Sequence, residues 1–172
     1  QFFSSANIHR HVSKIDVVQS QAKVQALKKE LESRFIHTEI QAIDKPIEYY
    51  IREDGIDFKL INLIIVATGK PSINFWFNEY LQRQYPNIPT IFTWLDPFGI
   101  GGHTLVCRNK QTRGCYNCLY GNDSTAGWYN QASFAQKGQS FLRTQSGCGG
   151  LFVPYSTLDA QRTALQSVRI AM

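Results

Sequence analysis

Ile61–Gly69, "INLIIVATG", is, Asn62 aside, a continuous apolar and β-branched run closed by glycine, and its reading decides the fold. Alternation would mark a strand wet on one face; a continuous run marks one buried on both, as in a parallel sheet covered by helices. Downstream, "PSINFWFNEYLQRQYP" predicts a helix, with Pro71 near its start, Ser72 as a candidate N-cap and Pro86 at its end. "TIFTWLDP" then reads as a second strand and "GGHTLVCRN" as one that turns back.

Upstream, Val24, Leu27, Leu31 and Phe35 recur at helical spacing within 16–35, with Lys28, Lys29, Glu30 and Glu32 free for solvent. "HTEIQAID" alternates like a strand, and "PIEYYIREDGIDFKL" suggests a short helix and a loop. From residue 110 to 147 the chain is polar and rich in glycine and serine, which predicts a long loop. It closes on "VPYSTLDAQRTALQSVRIAM", where Ser156 and Asp159 have capping-box spacing and Leu158, Leu165, Val168 and Met172 form an apolar stripe. Alternating helices and strands predict one α/β domain, Rossmann-like and three-layered, with a largely parallel sheet. The phosphate-binding glycine turn of such folds is not found: "FGIGGH" precedes a strand rather than a helix.

Composition sets bounds. The 172 residues are 43% hydrophobic, enough for one real core. A net charge of +5 favours anionic partners without choosing among them. No stretch approaches a membrane span and the start lacks the regions of a secretory signal, so the expectation is a cytoplasmic protein. Four cysteines are too few and too unevenly spaced for a disulfide framework, and metal binding or thiol chemistry is the better reading. Cys107 reads as merely buried, and His103 as a hydrogen-bonded strand-end residue rather than a base. Asp96 suits a turn before Pro97 better than a metal-holding carboxylate.

Four segments in order, "ANIHRHVSKIDVVQSQAKVQALKKEL", "LIIVATGKPSINFWFNEYL", "RGCYNCLY" and "GCGGLFVPYSTLDAQRTAL", together resemble the adenylation domain of ubiquitin-activating-like enzymes, the ThiF/MoeB/HesA family. The match begins downstream of that family's first glycine-rich unit, so the resemblance implies 1–172 as one partial adenylation domain, with 110–147 as its crossover and zinc-type loop. It implies magnesium-ATP, a ubiquitin-like or sulfur-carrier β-grasp protein as partner, a homodimer, and adenylation of the carrier's C-terminal glycine. It would place Asn7 and Arg10 near ribose and phosphates and Lys23 at the phosphate tail, and make Cys148 the acyl-accepting nucleophile. A structural cysteine before a helix is the plainer reading of Cys148, and a solvated face that of the other three.

Cys115 and Cys118 would by resemblance be half of a structural zinc clip, with the second pair beyond the closing helix. An unmetallated packed loop and, last, redox chemistry are the alternatives. Where many family members hold magnesium with an aspartate after the central strand, this chain has Gly69 and Lys70. That departure leaves room for a second function, a catalytically silent domain that recruits a carrier or dimerises. A nucleic-acid-binding zinc module is a third, disfavoured by the missing second ligand pair and the lack of a basic run.

Overall fold

The computed structural model of the chain describes residues 22–108, 114–125, 127–139, 141, 143–144, 151–152 and 154–172. It divides into two compact units, Gln1–Asp57 and Phe58–Met172.

In the first unit, α1 (Lys23–Arg34) carries the helical pattern read from the sequence, with ion pairs Lys28–Glu32 and Glu30–Arg34 one turn apart along it. Its buried residue is Ala26, whereas Leu27 and Phe35 of the expected apolar stripe are exposed. The short helix α2 (Ile47–Arg52) forms where expected. The alternating stretch 37–44 is not a strand, because no described segment pairs with it, and alternation without a ladder partner does not make a sheet.

The second unit is built on a three-stranded mixed sheet of order β1-β2-β3, with β1 (Ile64–Val66), β2 (Thr90–Leu95) and β3 (Gly102–Cys107). β1 runs parallel to β2, with Ile65 opposite Ile91; β3 returns antiparallel, with Leu105 opposite Phe92. The architecture is thus mixed α/β. α3 (Pro71–Gln84) makes the crossover between the parallel strands. Its N-cap is Lys70, not Ser72, and Pro71 opens its first turn, where a missing N–H costs nothing.

The apolar run at Ile61–Gly69 is shorter as a strand than it reads, and one of its faces is open. Val66 is buried but Ile65 is 50% exposed, since β1 lies at the edge of the sheet. β2 is the strand covered on both sides. Phe92 and Trp94 point toward Tyr116, and Thr93, on the opposite face, meets Ser167 of α4 (Thr157–Ala171).

The segment 110–147 holds more order than its composition suggests. A 3-10 turn at Tyr116–Leu119 leads into a hairpin of β4 (Tyr120–Asp123) and β5 (Gly127–Asn130). Asp123 Oδ1 accepts from the Thr125 amide and hydroxyl, and Gly127, at φ +67°, takes the left-handed conformation that glycine adopts without strain. The two-residue strands β6 (Arg143–Thr144) and β7 (Leu151–Phe152) pair antiparallel.

α4 starts with the full capping box: Ser156 Oγ accepts from the Asp159 amide while Asp159 reaches back to the Ser156 amide. Its seating reverses the sequence reading. Leu158, Leu165, Val168 and Met172 all face outward. The inner side is small and polar, with Ser167 hydrogen-bonded to Thr93 and Thr104 and to the Thr163 carbonyl. A Cβ on Gly102 would lie 1.9 Å from Thr163 Oγ1, so β3 and α4 approach as closely as a hydrogen side chain permits. Leu165→Lys should therefore shift stability by less than about 0.5 kcal/mol, whereas Ser167→Leu should cost about 1–3 kcal/mol through overpacking and the lost hydroxyl contacts. Urea denaturation of both variants checks this, and similar costs for the two would contradict the seating.

Candidate functional site

A cleft of about 490 Å³ opens beyond the carboxyl ends of the parallel strands β1 and β2, where α/β sheets commonly place their ligands. Ala67, Gly69 and the first turn of α3 form one side of it, and Thr93–Pro97 and α4 another. Tyr116, Tyr120, Trp94 and Tyr155 supply aromatic lining. A second cleft, of about 510 Å³, lies by Asn62, Pro86, Asn87 and Ile170, and Arg108 is the one titratable residue among its described lining. The chemistry is concentrated in the first.

Two features give that cleft its electrostatics. The amino end of α3 presents N–H groups that have no intrahelical acceptor, and with them the positive end of the helix dipole. Asp96, 5% exposed, contributes a buried carboxylate, and no Lys or Arg is among the described lining residues. Asp96 does not cap the turn that it opens. Its Oδ2 accepts from the Phe134 amide at 2.7 Å and from Ser133 Oγ at 3.1 Å, tying the end of β2 to the segment after β5. The turn reading of Asp96 holds for its backbone, whose carbonyl accepts from the Gly99 amide at 3.1 Å, while its side chain does something the spacing did not show, forming a buried tie between two elements. Spacing could not reveal this, because its partners lie 37 and 38 residues away.

His103 Nε2 stands 3.2 Å from Asp96 Oδ2 but lacks hydrogen-bond alignment, and that nitrogen has no hydrogen-bond partner among the described residues. The hydrogen bond expected at His103 is made by its backbone, whose carbonyl accepts from Thr93 Oγ1 at 3.1 Å, not by Nε2. The imidazole instead stacks on Trp94, with ring centres 4.8 Å apart and planes 9° apart. Trp94 Nε1 is likewise buried and unpartnered. An acid, an imidazole and an unsatisfied indole donor thus gather at one end of β2.

Cys115 and Cys118 sit on the turn that carries Tyr116, with their sulfurs 3.4 Å apart. The turn is fastened to α3 by buried Asn78, which accepts from the Tyr116 amide and donates to Asn117 Oδ1. Burial pushes the Cys115 thiol up, but donors from Asn78, Cys118 and the amides of Cys118 and Asn117 outweigh it and hold it below the ordinary thiol range. Cys107 is fully buried, as the sequence suggests, and burial pushes its thiol to about 11, with Cys115 and Cys118 adding to the rise. Two thiolates are half of a tetrahedral zinc set, and among the described residues no group of three or more His, Cys, Asp or Glu could hold a metal ion.

Of the remaining residues singled out by sequence, Lys23 opens α1 in the first unit, while Asn7, Arg10 and Cys148 lie outside the described residues. Sequence reasoning missed Asn74, Ser133 and Tyr120, which line the cleft, since nothing in their local patterns signals a site. No protein-family model, curated protein or solved structure matches the chain significantly. Among the described residues, no helix is long and apolar enough to cross a membrane.

Proposed function

We propose that this chain is part of an ATP-dependent activating enzyme that adenylates the C-terminal glycine of a ubiquitin-like or sulfur-carrier β-grasp protein, on a Rossmann-like three-layer domain. The observation that carries the reading is the cleft beyond the carboxyl ends of β1 and β2, with the amino end of α3 at its edge. The four segments whose order resembles the ThiF/MoeB/HesA family add support.

A carboxylate is a poor acyl donor until its oxygen is part of a mixed anhydride. In the proposed reaction the glycine carboxylate attacks the α-phosphorus of ATP in line, the bond to the β-phosphate oxygen breaks, and acyl adenylate and pyrophosphate form. The α3 amino end favours developing negative charge. By the family resemblance alone, Asn7, Arg10 and Lys23 would meet ribose and phosphates, and Cys148 would take the acyl group later. Asp96 is the one acidic residue among the described lining, and its Oδ1 is free of described partners. That oxygen fits the single carboxylate with which magnesium is often held, the remaining ligands being phosphates and water.

A second reading is a silent domain that recruits the carrier or dimerises. It is favoured by Gly69 at the family's aspartate position and by the two donors already on Asp96 Oδ2. ATP–pyrophosphate exchange by the longest parent chain, with and without a carrier ending in Gly-Gly, separates the two. Carrier-dependent exchange that survives Cys148→Ala is expected; a folded parent that binds carrier without exchange would establish the silent domain instead.

A further inference from the structure

The two thiols at Cys115 and Cys118 have no structural duty that the surrounding contacts leave undone. The turn is closed by the Cys118 amide donating to the Cys115 carbonyl at 3.0 Å. It is held on α3 by Asn78, 3% exposed, and by Asn117 Nδ2 on Glu79. Backbone and amide side chains therefore set its shape. The sulfurs stand 3.4 Å apart, and forming a bond of about 2.05 Å asks for a small side-chain movement, not a new backbone path. Cys118 is exposed and Cys115 half-buried, so a small reagent can reach the pair, while Cys107 is sealed.

We propose that Cys115 and Cys118 are a reversible dithiol that low-molecular-weight disulfides of the glutathione class oxidise to an intramolecular disulfide. One thiolate attacks a sulfur of the small disulfide, forming a mixed disulfide and expelling one thiolate. The other cysteine then attacks the protein sulfur of that mixed bond, closing the Cys115–Cys118 bond and expelling the second thiolate. The pair loses two electrons and two protons; the small disulfide is reduced to two thiols.

The residue between the cysteines gives this couple a reader. Tyr116, 1% exposed, lines the cleft at β2, packs tilted against Phe92 and edge-on against Trp94, and shares a 3.0 Å hydrogen bond with Tyr120, another lining residue. Whatever small shift of the turn accompanies disulfide closure reaches the cleft wall through that ring. The redox couple itself does not depend on the adenylation reading; only the consequence of a changed cleft for catalysis does.

The test equilibrates the full chain in glutathione buffers from reducing to oxidising, then quenches in acid, alkylates and maps tryptic peptides. Residues 114–137 form one such peptide, which contains Cys115 and Cys118 and no other cysteine. In reducing samples it should carry two alkyl groups, and in oxidising ones none, with a mass two hydrogens below that of the unmodified dithiol peptide; Cys107 stays a thiol throughout. Cys115→Ser and Cys118→Ser should each stop at a glutathione adduct on the remaining cysteine, and both keep the turn through Asn78.

Free thiols throughout the range, a wild-type chain that stops at the adduct, or a bond to Cys107 or Cys148 would overturn the proposal. So would a zinc ion held by the pair that blocks oxidation. Pyrophosphate exchange by the reduced parent chain keeps the two readings apart, since its absence there counts against adenylation and leaves the disulfide result standing.

Discussion

Replacing Phe92 by alanine should lower the unfolding free energy by about 3–5 kcal/mol, the range for emptying a fully buried aromatic site. Phe92 is 0% exposed at the centre of β2, between Val66 and Leu105 in the ladder and 4.8 Å from the Tyr116 ring centre. Its removal takes away apolar burial and the ring contact together, and strands hydrogen-bonded on both sides cannot close over the gap. Urea titration followed by tryptophan fluorescence measures the effect as a lower midpoint with an unchanged slope. Ile65→Ala, on the half-exposed edge strand, is the internal comparison and should cost markedly less. Equal losses at the two positions would mean that the core does not lie at β2.

Asp96→Ala should cost about 3 kcal/mol, because it leaves the Phe134 amide and the Ser133 hydroxyl without an acceptor at a buried site, and hydrogen bonds to a charged group are the stronger kind. Asp96→Asn keeps an acceptor oxygen and should lose roughly half as much. Hydrogen exchange locates the effect: the Phe134 amide should lose protection in the alanine variant before amides within β2 do. If Asp96 merely formed a turn, both variants would be nearly silent, and the Phe134 amide would exchange as in the parent chain.

Much of the framework of the second unit was legible in its residues. The α3 pattern, the β2 and β3 runs, and Ser156 with Asp159 each describe a local choice that the tertiary structure did not override. Where the reading failed, the deciding partner was distant. Alternation at 37–44 has no described strand to pair with. The 120–130 hairpin is set by an Asp123 turn and a positive-φ glycine within a stretch of otherwise weak strand formers. The Asp96 tie depends on residues 133 and 134, which no spacing rule connects to position 96. The α4 stripe misled because hydrophobic periodicity identifies a face and not what that face meets. Here the inner side is chosen by the close approach at Gly102 and by hydroxyl partners on β2 and β3.

A helix seated by hydroxyl groups behaves differently from one seated by leucines. Apolar side chains are interchangeable contacts, and a helix resting on them can slip or roll by a few degrees with little change in energy. The directional bonds that join the Ser167 hydroxyl to those of Thr93 and Thr104 weaken steeply on a small rotation, so they favour one azimuth of α4 against the sheet. The wall that this helix gives to the cleft, at Ala160, Thr163 and Ala164, is therefore fixed in place like a key in a slot.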